Sequence, residues 1–175
     1  LNPEIRVRIP DQNALCPMAA MLEPSDILKA KKEHPNAPVM LYVNTSATCK
    51  AEADYACTST NAIEIARAVP EKEVLFGPDM NLCEYVQENV PGKNLYPVPA
   101  DGFCPTHRSI SMREIEELKQ KHPEAELIAH PECISKVRQS ADHIASTSGM
   151  LRIARESKAP EFIIATAVSY THLTL

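Results

Sequence analysis

The chain has 175 residues, 44% apolar and 23% charged, with 18 Lys and Arg against 23 Asp and Glu. That length suits about one ordinary domain, and the apolar share is enough for a buried core. A net charge of −5 leaves no basic footprint for nucleic acid, and no apolar run nears the ~18–20 residues that span a bilayer.

In chain order, residues 5–9 read as a strand, 25–33 as a helix and 39–43 as a strand. Helices follow at 47–54 and 61–68, a strand at 74–76, then helices at 82–89 and 112–121. A strand at 127–129, helices at 134–140 and 150–156 and a strand at 162–165 complete the order. The strand runs are short and nearly continuously apolar, as in strands covered on both faces. Ser111 with Glu114 forms a capping-box signature ahead of IEELKQK. Only 4 glycines against 15 prolines suggest short connections punctuated by proline. The alternation predicts an α/β fold with parallel sheets.

The strongest internal feature is a repeat. Shifted by 88 positions, the chain matches itself at about fourteen residues, a longer period than solenoid units have. Cys16-Pro17 falls on Cys104-Pro105, His34-Pro35 on His122-Pro123, and Ala53-Asp54 on Ala141-Asp142. Thr58-Ser59-Thr60 falls on Ser146-Thr147-Ser148, and Ile65-Ala66-Arg67 on Ile153-Ala154-Arg155. A unit this long is a whole βαβ-type domain. We divide the chain into a first repeat at 1–88, with an N-terminally truncated context, and a second at 89–166. Residues 167–175, AVSYTHLTL, carry no turn or capping logic and resemble translated sequencing-adapter read-through, so they read as a non-native tail.

Six cysteines, at 16, 49, 57, 83, 104 and 133, show no CxxC pair. Without a visible export signal this favours reduced thiols and a cytoplasmic location. Cys16 and Cys104 recur at the repeat period, so equivalent loops could bring both to a soft metal or an iron–sulfur cluster. The other four do not recur and read as buried thiols.

Strand ends of parallel sheets are where ligands bind. Tyr42 aligns with His130 and Asn44 with Glu132, so the four could face one site. Alternatively, Tyr42 is core and HPE only a turn. TSTN (58–61) and STSG (146–149) each precede a helical run. Hydroxyls and free N–H groups there could cradle a phosphate or carboxylate, or simply cap the helix. In DGFCPTHRS (101–109), His107 has no counterpart in the first copy, where Ala19 stands. That asymmetry suits a substrate-facing histidine.

Taken together, IPDQNALCPMA, YVNTSATCKAEADYACTSTNA, GPDMNLCEYV, DGFCPTH, HPEC and ADHIASTSGM resemble the quinolinate synthase family, in the family's order and nearly throughout the chain to Thr166. The resemblance implies pseudosymmetric three-layer αβα domains with short parallel sheets, two of three repeats being present. It implies an enzyme of NAD biosynthesis that condenses iminoaspartate with dihydroxyacetone phosphate to quinolinate, losing phosphate and water. The family's cofactor is a [4Fe–4S] cluster with one open iron. By position, Cys16 and Cys104 resemble two cluster ligands, and Tyr42 and Asn44 the substrate-contacting pair. Ser59 and Thr147 resemble the hydroxyls for anionic groups, and His107, His130 and Glu132 the active-site histidines and acid/base carboxylate. Functional coupling to L-aspartate oxidase or aspartate dehydrogenase, as the source of iminoaspartate, is also implied. No membrane or nucleic-acid partner is expected.

Two departures stand out. The third cluster cysteine belongs to a third domain, and the family's upstream segment carries a further histidine and tyrosine. Neither is in this sequence, and Ala167 stands where the family usually has an acid after FIIAT. The expectation is an incomplete fragment that does not turn over by itself. Two other readings compete: a non-catalytic α/β anion-binding module without the cluster, and a Cys/His hydrolase on Cys104 and His107. We rank the hydrolase last, because residues three apart in a proline-containing loop rarely set a base on its nucleophile and no Gly-rich elbow surrounds the cysteine.

Overall fold

The computed structural model describes residues 3–6, 8–11 and 14–167. Within them the chain builds two parallel sheets. The first has the order β2-β1-β3-β4, from Val39–Tyr42 (β1), Tyr55–Cys57 (β2), Glu73–Gly77 (β3) and Asn94–Pro97 (β4). The second has the order β6-β5-β7, from Glu126–Ala129 (β5), His143–Ile144 (β6) and Phe162–Ala165 (β7). Helices Pro24–Glu33 (α1), Ala47–Lys50 (α2), Ala62–Ala68 (α3), Met80–Asn89 (α4), Pro105–Arg108 (α5), Met112–Lys121 (α6), Ser135–Ser140 (α7) and Thr147–Glu156 (α8) connect and flank them.

The period of two along β1 separates the layers. Met40 and Tyr42 pack with Val74 and Phe76 against α3 and α4, in one cluster with Ala66, Leu82 and Val86. Val39 and Leu41 face the other way, with Leu75, Ile27 and Cys49, against α1 and α2. The first sheet is therefore the middle of three layers. In the second sheet, Leu127 and Ala129 pack with Ile115, Val137 and Ile163. No helix among the described residues is long and apolar enough to cross a membrane.

The repeat corresponds to shared backbone geometry. Val39 pairs with Leu75 in the first sheet and Leu127 with Ile163 in the second. Likewise Met40 pairs with Tyr55 and Ile128 with His143. Each of these pairs shifts onto its partner by the repeat period. Capping boxes start α1 (Glu23 with Asp26) and α6 (Ser111 with Glu114). The repeated Ala-Asp has a direct cause: Asp54 Oδ2 accepts from Val39 N–H at 2.8 Å, and Asp142 Oδ2 from Leu127 N–H at 2.7 Å. A carboxylate satisfies the amide of Val39, first in β1, and of Leu127, second in β5.

Asp142 makes this device testable. The Leu127 N–H and the Lys119 ammonium hold its carboxyl below the usual Asp value. A depressed folded pKa contributes stability above the unfolded value of about 3.9 and loses it as pH falls through the folded one. Asp142→Asn is therefore expected to lose less stability than the parent chain between pH 5 and pH 2, read from urea midpoints. Parallel pH curves would remove this role.

Three expectations change. Residues 5–9 are not a strand: Ile5, Arg6, Arg8 and Ile9 are exposed and unpaired with either sheet, while Val7 lies outside the described residues. The run alternates apolar with arginine, so it could cover only one face. The helix expected over 47–54 stops at Lys50, because Asp54 turns back to bond Val39. Edge strands β2, β4 and β6, and the single turn α5, were not foreseen; they are two to four residues long and partly exposed. Strand β4 lies past residue 88 yet belongs to the first sheet. Of the expected tail, only Ala167 is among the described residues.

One side chain ties the two units together. Arg138 on α7 is 2% exposed. It donates to Glu84 at 2.9 Å and Glu88 at 3.2 Å on α4, and to the Cys133 carbonyl at 2.8 Å.

Candidate active site

The carboxyl ends of β1 and β5 face each other across a cavity of about 380 Å³. Tyr42 ends β1, with Asn44 two residues on; His130 follows β5, with Glu132 two residues on. Ser59 comes just before α3, Thr147 opens α8, and His107 lies in α5. All seven residues line this cavity. Tyr42 is also a core residue, at 7% exposure packed in the α3–α4 layer, so the two readings of it are not exclusive.

At the back of the cavity stands a buried cluster. Glu132 Oε2 lies 2.8 Å from His107 Nδ1, and both side chains are at most 3% exposed. The imidazoles of His107 and His130 stack at 4.4 Å and 14°. Burial opposes charge on His107, but its bonds to Cys104 and Glu132 and their charge win and raise it to about 9. His130 goes the other way. Burial and the His107 charge lower it to about 4, with only Glu132 opposing. Its Nδ1 accepts from Glu132 N–H at 3.3 Å, which puts the proton of the neutral ring on Nε2. Burial alone would raise Glu132, yet the His107 bond, both imidazoles and the Tyr42 hydroxyl hold it below its usual value. Stacked rings pushed in opposite directions, beside a carboxylate held below its usual value, form a set able to give and take protons. Glu132 Oε1 is buried without a hydrogen-bond partner among the described residues, although its residue lines the cavity. That orphaned acceptor suits a ligand donor.

Several residues of the site were not singled out from sequence. Thr60 Oγ1 donates to Ser146 Oγ at 2.9 Å, joining the two helix starts, and both residues line the cavity with Ser148. They belong to the clusters TSTN and STSG, so the signal was present but not the choice among hydroxyls. Thr166 Oγ1 sits 3.1 Å from His107 Nε2, a pairing with no local sequence signal. Asp79 is fully buried and accepts from Leu82 N–H and Cys104 N–H, each at 2.7 Å. Burial and the Glu132 charge push it up to about 7, against those two bonds and His107. Both oxygens face N–H donors, so the geometry favours the carboxylate.

The two recurring cysteines lie outside the cavity lining but beside it. Cys104, half-buried, offers Sγ 3.1 Å from His107 Nδ1. With His107 and Glu132 it forms a group whose possible ligand atoms all lie within 4.8 Å of one another. Cys16 is exposed and borders a second cavity of about 550 Å³ that shares Val43 and Asn44 with the first. Matching turns carry both: Ala20 N–H bonds Cys16 O at 3.0 Å, and Arg108 N–H bonds Cys104 O at 2.9 Å. The other four cysteines are buried, and burial pushes Cys57, Cys83 and Cys133 up to about 12. Accessible thiols able to act as thiolate ligands are thus the two that recur, which fits a thiolate-bound cluster needing further ligands from elsewhere.

The Cys104–His107 contact is closer than expected for residues three apart. It still does not make a hydrolase triad. Such a base takes its nucleophile on one ring nitrogen and its orienting acid on the other. Here Cys104 and Glu132 both meet Nδ1, and Nε2 faces Thr166 and the Ala167 N–H.

An α/β scaffold that gathers proton-transfer groups and helix-start hydroxyls at its strand ends is of the class that binds small anionic ligands. The chain belongs to the quinolinate synthetase A protein family, NadA, whose model it matches over residues 1–173. It is 50% identical over 171 residues to the quinolinate synthase of Methanothermobacter thermautotrophicus, across 98% of this chain and 56% of that protein. The quinolinate synthase of Methanosarcina barkeri is 45% identical over 172 residues, with the same shares covered. That of Pyrococcus horikoshii is 47% identical over 156 residues, across 89% of this chain and 52% of that protein. The chain thus spans little more than half the length of these relatives.

Proposed function

We propose that this chain forms two of three domains of a quinolinate synthase, joining iminoaspartate to dihydroxyacetone phosphate with loss of phosphate and water. The observation that carries this reading is the buried Glu132–His107–His130 set facing helix-start hydroxyls across one cavity. Ser59 and Thr147 hold the phosphate or carboxylates of the substrates, where free N–H groups and the helix dipole favour negative charge. Neutral His130 donates from Nε2 to a carbonyl or carboxylate oxygen. Glu132 takes a carbon-bound or hydroxyl proton, and His107 holds its carboxylate in place. Tyr42 and Asn44 orient the substrate from the opposite strand end.

Cys16 and Cys104 would serve as thiolate ligands of a [4Fe–4S] cluster, with a further thiolate supplied from outside this chain. When bound, the cluster supplies a Lewis-acidic open iron. The enzyme works in the cytoplasm, with L-aspartate oxidase or aspartate dehydrogenase supplying iminoaspartate.

The test is to express the full-length gene anaerobically. The expected protein is brown, binds iron and sulfide, and releases phosphate from dihydroxyacetone phosphate only with iminoaspartate present. A colourless, iron-free protein after anaerobic reconstitution would overturn the cluster assignment and leave an anion-binding module.

A further inference from the structure

We propose that Asp79 is a positioning residue whose carboxylate fixes the backbone of Cys104 and so aims its thiol. The metal-binding part of this inference rests on the function proposed above; the tether itself does not.

Asp79 is the N-cap of α4, and one oxygen accepts from Leu82 N–H at 2.7 Å. Capping alone does not call for a carboxylate here. Ser46, Ser111 and Ser146 cap α2, α6 and α8 with hydroxyls. At α4 the chain instead buries an acid completely, which is costly unless both oxygens find donors. The second donor is the Cys104 N–H, 25 residues on, also at 2.7 Å.

The surroundings make this tether tight. Met80 N–H donates to Gly102 O at 2.8 Å, so the start of α4 and the loop before Cys104 are joined twice. A Cβ on Gly102 would meet Pro78 O at 2.1 Å, so only glycine allows this approach. Cys104 is in turn the N-cap of α5, and its Sγ lies 3.1 Å from His107 Nδ1. Asp79 therefore sets the residue that bears the thiol and caps the turn carrying His107. Asp79 acts through the Cys104 amide.

Asp79→Ser separates the two roles. A serine hydroxyl still caps α4 but has one oxygen and a shorter reach, so Cys104 N–H loses its acceptor. In the full-length protein without metal, amide exchange at Cys104 should rise about tenfold or more, as for loss of a charge-assisted bond. Exchange within α4 should stay within about twofold. Alkylation of Cys104 by iodoacetamide should change, while that of Cys16 does not. After anaerobic reconstitution, the variant should hold less iron than the parent protein, with an altered electron paramagnetic resonance spectrum.

Unchanged Cys104 exchange in Asp79→Ser would overturn the tether. Equal changes at Cys16 and Cys104, or a general loosening of α4, would show a merely structural acid and also overturn the proposal. If the parent protein takes up no iron, the cluster reading fails by itself, and the exchange result still decides the tether. Should Asp79→Ser not fold, Asp79→Thr, which keeps the cap with a β-branched hydroxyl, supplies the same readouts.

Discussion

Glu132→Gln in the full-length protein is expected to lower kcat by about 10²–10⁴-fold, the usual range for a positioned proton-transfer group. The amide keeps the volume of the carboxylate but is a poor base. It still accepts from His107 through its carbonyl oxygen, so the stacked imidazoles should keep their places. Because Glu132 is not assigned as a cluster ligand, iron content and visible absorbance should match the parent protein. KM for dihydroxyacetone phosphate should change little, since the proposed function gives its anionic group to Ser59 and Thr147. Steady-state phosphate release decides the matter: an unchanged kcat removes Glu132 from proton transfer. A matched loss of iron and activity would instead make it a ligand or a support for one.

Arg138→Ala is expected to destabilise the protein by about 3–5 kcal/mol. The side chain is 1% exposed, and its loss leaves a cavity and a Cys133 carbonyl without its donor. The acids it pairs with, Glu84 and Glu88, are 50% and 44% exposed. They return to water at little cost, so the loss comes mainly from packing and the carbonyl, not from stranded charge. Arg138→Met, which refills the volume, should therefore cost clearly less than alanine. Urea midpoints for both variants test this, and equal losses would place the stabilisation in the polar partners, the Cys133 carbonyl and the two acids, and not in packing. Cys133 directly follows Glu132, so the alanine variant should also disturb the His107–Glu132 pair. A drop in activity beyond the fraction unfolded would reveal that coupling.

Much of this architecture could be read before any coordinates were known. The central strands β1, β3 and β5 are nearly continuous apolar runs because both their faces are covered, and that pattern is local. The start of α6 carried an explicit capping signal, Ser111 with Glu114. The edge strands β2 and β6 did not. Each is paired on one side only and partly exposed, so its residues obey no strong pattern. Residues 5–9 show the converse error: despite the strand-like alternation, Ile5, Arg6, Arg8 and Ile9 are exposed and pair with neither sheet.

The candidate site divides in the same way. Tyr42, Asn44, His130 and Glu132 were visible because strand ends have a known use and the repeat aligned them. Helix starts pointed to the clusters TSTN and STSG, the family resemblance picked Ser59 and Thr147 from them, and His107 came from the asymmetry of the CPTH turn. Asp79 was invisible. Its partner is a backbone amide 25 residues away, and a backbone amide leaves no mark on the sequence. Thr166 was invisible for a similar reason, since it meets His107 only when β7 lies beside β5.

The amino-acid sequence alone determined the class of fold, the repeat and the residue types at the strand ends, because periodicity, capping and self-similarity are properties of nearby residues. Only the tertiary structure decided which nitrogen of His107 meets Glu132, and that burial and contacts push the two stacked imidazoles in opposite directions. It also showed that Cys104 is held from behind by Asp79. Distances of about 3 Å between residues far apart in the chain set protonation and aim, and these follow from how the layers pack.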